Sequence, residues 1–324
     1  MRLDFRGKRI NRKAQDNTLP SGAPEKAFPH MITIYQTNPN RRQFMTQEIP
    51  LLDVRALSYS YHTPEGEIQA LSNISFTVNR GEFIAVVGPS GCGKSTLLSL
   101  ISGLLTPDEG AVFLNGAAIS RAGKNSSGYG ELSVTSLPGG REAGDTKKAI
   151  GYMPQRDQLF EWRSIFSNAA LGLEIQKKLN SDSIKKLHSL LKTYGLEDFE
   201  KARPSALSGG MRQRAAFIRT LILEPELLLL DEPFSALDYQ TRLSVCDDIS
   251  GMIKSTGKTA MLITHDLSEA ISMANRIIVL SARPGKIKTI LSLAFDHTKT
   301  PLERRNEPEF PSYFNQLWKE LKLT

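Results

Sequence analysis

The run Gly88-Pro-Ser-Gly-Cys-Gly93-Lys94-Ser95 restricts what this chain can fold into more than any other stretch. It follows the continuous apolar run Phe83–Val87, which reads as a parallel strand buried on both faces. It precedes Lys94–Gly103, where Leu97, Leu98 and Ile101 recur at helical spacing and Gly103 supplies a stop. A G-x-x-x-x-G-K-[ST] pattern between strand and helix lets backbone N–H groups curl around phosphates, and the helix points its positive end at them. In this reading Gly88, Pro89, Ser90, Gly91, Cys92, Gly93, Lys94, Ser95 and Thr96 surround a nucleotide polyphosphate. Lys94 reaches the β- and γ-phosphates, and Ser95 ligates Mg2+. The competing reading is a plain glycine turn, and the flanking strand and helix argue against it.

A second carboxylate-bearing strand follows. Leu227–Leu230 is apolar throughout and ends on Asp231-Glu232. Asp231 can bind Mg2+ through water or Ser95, and Glu232 beside it can orient and polarise an attacking water. Ala260–Ile263 reads as a further buried strand, while 181–194 and 208–223 carry helical periods. The β-α-β-α order after residue 82 predicts an α/β sheet with ligands at the C-terminal strand edges. Leu52–Leu57 and Ile74–Val78 alternate like half-exposed antiparallel strands. Residues 121–148 are Gly/Ser-rich without apolar period and read as a polar loop insertion. No internal repeat is visible.

Leu207-Ser208-Gly209-Gly210-Met211-Arg212-Gln213 opens a helix with a hydroxyl and glycine amides, a second place for an anion. It closely resembles the signature of the ABC (ATP-binding cassette) ATPases, and the other motifs of that family follow in order over about residues 51–290. The resemblance implies a P-loop NTPase fold of ABC type: a mixed, mainly parallel core sheet, an antiparallel β subdomain and a helical signature subdomain over about 156–223. It implies that Ser208, Gly209 and Gly210 serve the ATP held by the opposite subunit of a head-to-tail dimer, with Asp238 of Ser235-Ala236-Leu237-Asp238 crossing the interface. Tyr61, 27 residues before Gly88, matches the aromatic that stacks on adenine, with Tyr59 as a rival. Gln155 matches the glutamine that senses Mg2+, alongside Ser95 and Asp231. His265, 33 residues beyond Glu232, matches the histidine that faces the γ-phosphate. Glu232, His265, Lys94 and Gln155 are thus the implied catalytic set, and ATP and Mg2+ the implied cofactors.

Finer detail resembles the ATPase subunits of importers for nitrate, sulfonate, taurine and related small molecules. The stretches that carry it are Leu159-Phe-Glu-Trp162-Arg163, Pro233-Phe-Ser-Ala-Leu-Asp238 and Arg283-Pro284-Gly285-Lys286. Such a subunit couples ATP hydrolysis to transport through separate membrane permease subunits, meets a solute-binding protein only indirectly, and sits peripherally on the cytoplasmic face of the cell membrane. Trp162 and Phe166 fall where a permease helix is received, with core packing as the alternative. Glu161 departs from the family's usual Pro, and the 121–148 loop exceeds its usual length. The tail, 291–324, is too short for the regulatory β-domain of sugar-importer cassettes. Its Phe310, Phe314, Leu317, Trp318 and Leu321 predict an amphipathic helix that packs on the cassette or docks to a partner.

Two other classes compete: a soluble ABC ATPase acting on nucleic acid, and the ATPase of an exporter. The first needs a long coiled-coil insertion or two cassettes, and only about 110 residues separate Lys94 from Leu207. A non-catalytic scaffold is disfavoured because Lys94, Asp231, Glu232 and His265 are all present. The net charge of +7 invites a polyanion partner. Yet residues 1–50 hold nine Lys/Arg against four Asp/Glu, so +5 belongs to a basic arm that reads as disordered, with Met31–Tyr35 its only strand-like run. Met45 is an alternative start. No nucleic acid is expected as partner. Two distant cysteines, Cys92 and Cys246, exclude a disulfide framework or zinc module.

Overall fold

The computed structural model describes residues 31–33, 46–64, 66–122, 149–296 and 298–322. The chain divides into two units, Met1–Glu48 and Ile49–Thr324. In the first, β1 (Met31–Thr33) pairs antiparallel with β2 (Thr46–Glu48), so the first three residues of the arm's strand-like run form a strand. The rest of that arm, and 123–148 of the polar loop, lie outside the described residues.

The second unit is built around a six-stranded sheet. Its members are β5 (Phe83–Val87), β8 (Ile150–Met153), β9 (Leu227–Asp231), β10 (Thr259–Ile263), β11 (Arg276–Leu280) and β12 (Ile287–Ser292), in spatial order β12-β11-β5-β10-β9-β8. Neighbours from β11 to β8 run parallel, and β12 closes the edge antiparallel. Strands β5, β9 and β10 are buried at every residue, which explains their unbroken apolar sequences: both faces are covered, so no polar alternation is left. A four-stranded antiparallel sheet lies beside it, ordered β4-β3-β6-β7, from β3 (Leu52–Thr63), β4 (Gly66–Val78), β6 (Glu109–Leu114) and β7 (Ala117–Arg121).

Helix α1 (Lys94–Ile101) links the two sheets and buries Leu97, Leu98, Leu100 and Ile101 in a core shared with Leu57, Leu71, Ile84 and Met261. On the other face lies the helical region: α2 (Ile165–Ile175), α3 (Ser181–Thr193) and α4 (Gly209–Leu221). Each starts on a side-chain cap, Ser164, Asn180 and Ser208 respectively, which satisfies N–H groups the first turn leaves free. Helices α5 (Tyr239–Thr256) and α6 (Leu267–Met273) follow β9 and β10.

The tail forms α7 (Pro301–Arg305) and α8 (Phe310–Lys322). Leu317 is fully buried, and Phe310, Phe314 and Leu321 pack against the same core, while Trp318 stays exposed under the Lys322 ammonium. The tail therefore packs within the cassette unit. No helix among the described residues is long and apolar enough to cross a membrane.

Candidate nucleotide site

The C-terminal ends of β5, β9 and β10 carry the site. Gly88 follows β5 and Gly93 precedes α1, and the loop between them needs glycine for two separate reasons. A Cβ on Gly93 would lie 2.7 Å from Leu71 Cδ2, and its φ of +100° is one that side chains avoid. A Cβ on Gly88 would lie 2.8 Å from the Cys92 Sγ. The loop thus turns tightly between β4 and β11 and opens its concave side to a cleft of about 800 Å³. Tyr61, Thr63, Ile68, Ala70, Ser90, Gly91, Gly93, Lys94, Ser95, Thr96, Glu232, His265 and Arg283 line that cleft.

Lys94 is buried, and its Nζ donates to the carbonyls of Gly88 and Pro89 at 2.9 and 3.0 Å. The ammonium is held over the loop and forms no ion pair among the described residues, although Asp231 lies within its electrostatic reach. Ser95 Oγ donates to Asp231 Oδ1 at 3.2 Å, and Tyr152 Oη donates to the other oxygen, Oδ2, at 3.1 Å. Burial pushes the Asp231 carboxyl above its ordinary range, and the charge of Glu232 adds to the rise; the two hydroxyl donors and Lys94 oppose it. Tyr152 is pushed up to about 12, first by burial and then by Asp231.

Glu232 sits at the cleft edge with a backbone φ of 44°, in the left-handed region. Its N–H donates to the Ile263 carbonyl at 2.9 Å, tying the turn after β9 to the end of β10. Its Oε2 accepts from Gln155 Nε2 at 3.3 Å and lies 3.1 Å from His265 Nδ1. Two residues far apart in sequence, Gln155 and His265, thereby converge on one carboxylate oxygen. Tyr61 Oη hydrogen-bonds Thr96 Oγ1 at 3.0 Å, and its exposed ring flanks the cleft. Tyr59 packs edge-on to it and against the core, so Tyr61 is the aromatic the cleft presents.

The remaining expected residues stand apart. Ser208, Gly209 and Gly210 are at the start of α4 and do not line the cleft; Ser208 Oγ accepts from the Met211 N–H at 3.4 Å. Asp238 caps α5, accepting from the Thr241 N–H at 3.0 Å; the Thr241 hydroxyl first, and this N–H after it, lower its carboxyl. Arg212 on α4 pairs with Asp157 at 2.8 Å and with Glu161 at 3.2 Å, so the residue that departs from the family's Pro holds the signature helix. Phe166 packs against the core and stacks on His188, whereas Trp162 is exposed beside Phe160. Sequence reading passed over Tyr152, whose partner Asp231 is 79 residues away, and gave Arg283 no place in the cleft.

A strand-loop-helix cleft of this build, with a buried lysine over the loop and a serine–aspartate pair at its floor, defines a phosphate-loop nucleotide-binding protein. Comparison with known proteins narrows the class. Residues 71–235 match the family model described as ABC transporter. An ABC transporter ATP-binding protein of Bacillus subtilis is 42% identical over 271 residues, covering 83% of this chain and 95% of the relative. An aliphatic sulfonates import ATP-binding protein of Bacillus cereus is 34% identical, covering 80% and 90%, and a taurine import ATP-binding protein of Pelagibacter ubique is 37% identical, covering 74% and 82%. Among solved structures, a dimeric ATP-binding cassette in a post-hydrolysis state with ADP and Pi superposes with a TM-score of 0.60 at 27% identity, over 76% of this chain and all of that one. A component of an ABC transporter complex from Clostridium perfringens gives 0.63 at 27% identity, over 83% and 96%. The chain belongs to the ABC transporter family, as an ATP-binding cassette and ATPase.

Proposed function

We propose that this chain powers an importer of small sulfonate- or taurine-like solutes, working as a head-to-tail pair of cassettes against separate permease subunits on the cytoplasmic face of the membrane. The observation that carries the catalytic part is the Glu232 carboxylate, held by Gln155 and His265 at the edge of the cleft that contains Lys94 and Ser95. ATP lies with its base against Tyr61 and its phosphates along Gly88–Thr96. Mg2+ fits the hydroxyl–carboxylate pair Ser95–Asp231, with Gln155 on the side of Glu232, and when bound supplies charge neutralisation on the polyphosphate.

Glu232 accepts a hydrogen bond from the attacking water, whose oxygen bonds to the γ-phosphorus as the bond from that phosphorus to the bridging oxygen breaks; the water's proton leaves through Glu232 to the released phosphate, and ADP and phosphate form. His265 and Gln155 keep the carboxylate turned into the cleft. Lys94 leaves the loop carbonyls for the phosphates. The signature residues Ser208–Gly210 lie outside this cleft, which supports their serving a second copy's ATP, as does the dimeric state of the superposed cassette. The names of the sulfonate and taurine relatives support the cargo class, and exposed Trp162 with Phe160 supports a permease contact there.

The test is Glu232→Gln. ATP binding should persist while phosphate release falls by roughly 10²–10⁴-fold. Hydrolysis at the parent rate would remove Glu232 from the mechanism. Uptake of labelled taurine or an alkanesulfonate that continues in cells carrying only Glu232→Gln would refute the transport reading.

A further inference from the structure

The stretch Arg283-Pro284-Gly285-Lys286 connects β11 to β12 and comes against the phosphate loop. Gly285 N–H donates to the Ala70 carbonyl at 2.9 Å, and the Ser72 N–H donates to the Gly285 carbonyl at 3.0 Å, adding a one-residue rung to β4. A Cβ on Gly285 would overlap the Cys92 carbonyl oxygen, so only glycine lets the two backbones approach this closely. Ser281 closes the turn: its N–H donates to the Lys286 carbonyl at 2.9 Å, and its Oγ accepts from the Lys286 N–H at 3.0 Å.

This framework places Arg283 on the cleft. Its Nε and Nη2 both lie 3.3 Å from the Gly91 carbonyl, a long and shared contact. Among the described residues no carboxylate pairs with its guanidinium. The turn is already fixed by backbone bonds on both sides, so bracing it does not require the arginine. A planar cation with five donors, two of them spent weakly on one carbonyl, stands beside the middle of a loop that wraps phosphates and in the same cleft as Lys94. We propose that Arg283 is a further nucleotide-binding residue, donating from its guanidinium to the polyphosphate of the ATP held in the same chain's cleft. This rests on the site reading given above.

The experiment measures displacement of a fluorescent ATP analogue by ATP, ADP and adenosine in the full chain, its Arg283→Ala and Arg283→Lys variants, and Lys94→Ala. Loss of one charge-assisted contact at an exposed position should weaken ATP and ADP by roughly 5–30-fold in Arg283→Ala. Adenosine should be unchanged, and Arg283→Lys should recover part of the loss. Arg283→Ala binding ATP within two-fold of the parent, while Lys94→Ala binds it poorly, would overturn the assignment and leave the site intact. Equal weakening of all three ligands would also overturn it, because that is the mark of a loop brace. Parent-like ATP binding by Lys94→Ala would refute the site reading itself, and Arg283 with it.

Discussion

Glu269, on the first turn of α6, offers a sharp test of the electrostatics behind the His265 segment. It is 3% exposed, accepts a hydrogen bond from Thr264 Oγ1, and has Arg242 Nε 3.7 Å from its other oxygen. Burial dominates these contacts, and the neighbouring Asp266 adds to it, so the carboxyl is raised from 4.5 to about 7 despite Thr264, Arg242 and His265. Below pH 4.5 the group is neutral in both folded and unfolded chains and costs nothing. Between 4.5 and 7 the unfolded chain releases a proton that the folded one keeps, so stability falls as pH rises, and above 7 the whole penalty is present. Raising a carboxyl from 4.5 to about 7 corresponds to roughly 3 kcal/mol. Glu269→Gln imitates the neutral acid and removes the penalty. Urea unfolding of parent and variant at pH 5, 6, 7 and 8 should show the variant gaining roughly 2–3 kcal/mol on the parent across that range. A difference that stays constant within about 1 kcal/mol would refute the assignment of the raised carboxyl to Glu269.

Two further substitutions probe packing. Leu317→Ala removes the fully buried anchor of α8 and should cost about 2–5 kcal/mol, read as a lower urea midpoint with earlier proteolytic loss of the tail. Gly285→Ala forces the β11–β12 turn away from Cys92 and should cost about 1–3 kcal/mol while weakening ATP binding; parent-like values in both assays would contradict the close approach.

The parts of the fold that sequence revealed are those where one physical demand acts alone. Strands β5, β9 and β10 must be apolar on both faces, and each appears as an unbroken run. Helices α1, α3 and α4 were marked by glycines at the starts of α1 and α4 and by helical periods in all three. Strands β3 and β4 proved longer than their alternation suggested. Register shifts at Val54/Leu57 and Tyr59/Ser60, with Ala56 and Asn73 at positive φ, interrupt the period of two that sequence reading depends on. Helix α5 was passed over because its buried residues, Val245, Cys246, Ile249, Met252 and Ile253, are interleaved with polar ones and give a weak stripe.

In the candidate site, Gly88–Thr96, Asp231 and Glu232 were visible from local pattern and strand ends, and His265 from the family resemblance. Tyr152 and Arg283 were not, since strand pairing between distant segments brings Tyr152 to Asp231 and Arg283 to the cleft. The network of Asp157, Glu161 and Arg212 was invisible for the same reason: one side lies after β8 and the other on α4.

The left-handed backbone at Glu232 places a conformational cost on the residue proposed to position the attacking water. A carboxylate residue held at φ 44° carries a conformational cost of order 1 kcal/mol that glycine or asparagine would relieve. Relief there would leave the Ile263 hydrogen bond available and β9 and β10 still joined. On the role proposed for Glu232, a laboratory selection that rewards heat resistance alone drifts toward losing this side chain, producing sturdier molecules that hold ATP without hydrolysing it. Screens of variant libraries of this cassette need to score phosphate release beside melting, or the most stable clones will be the silent ones.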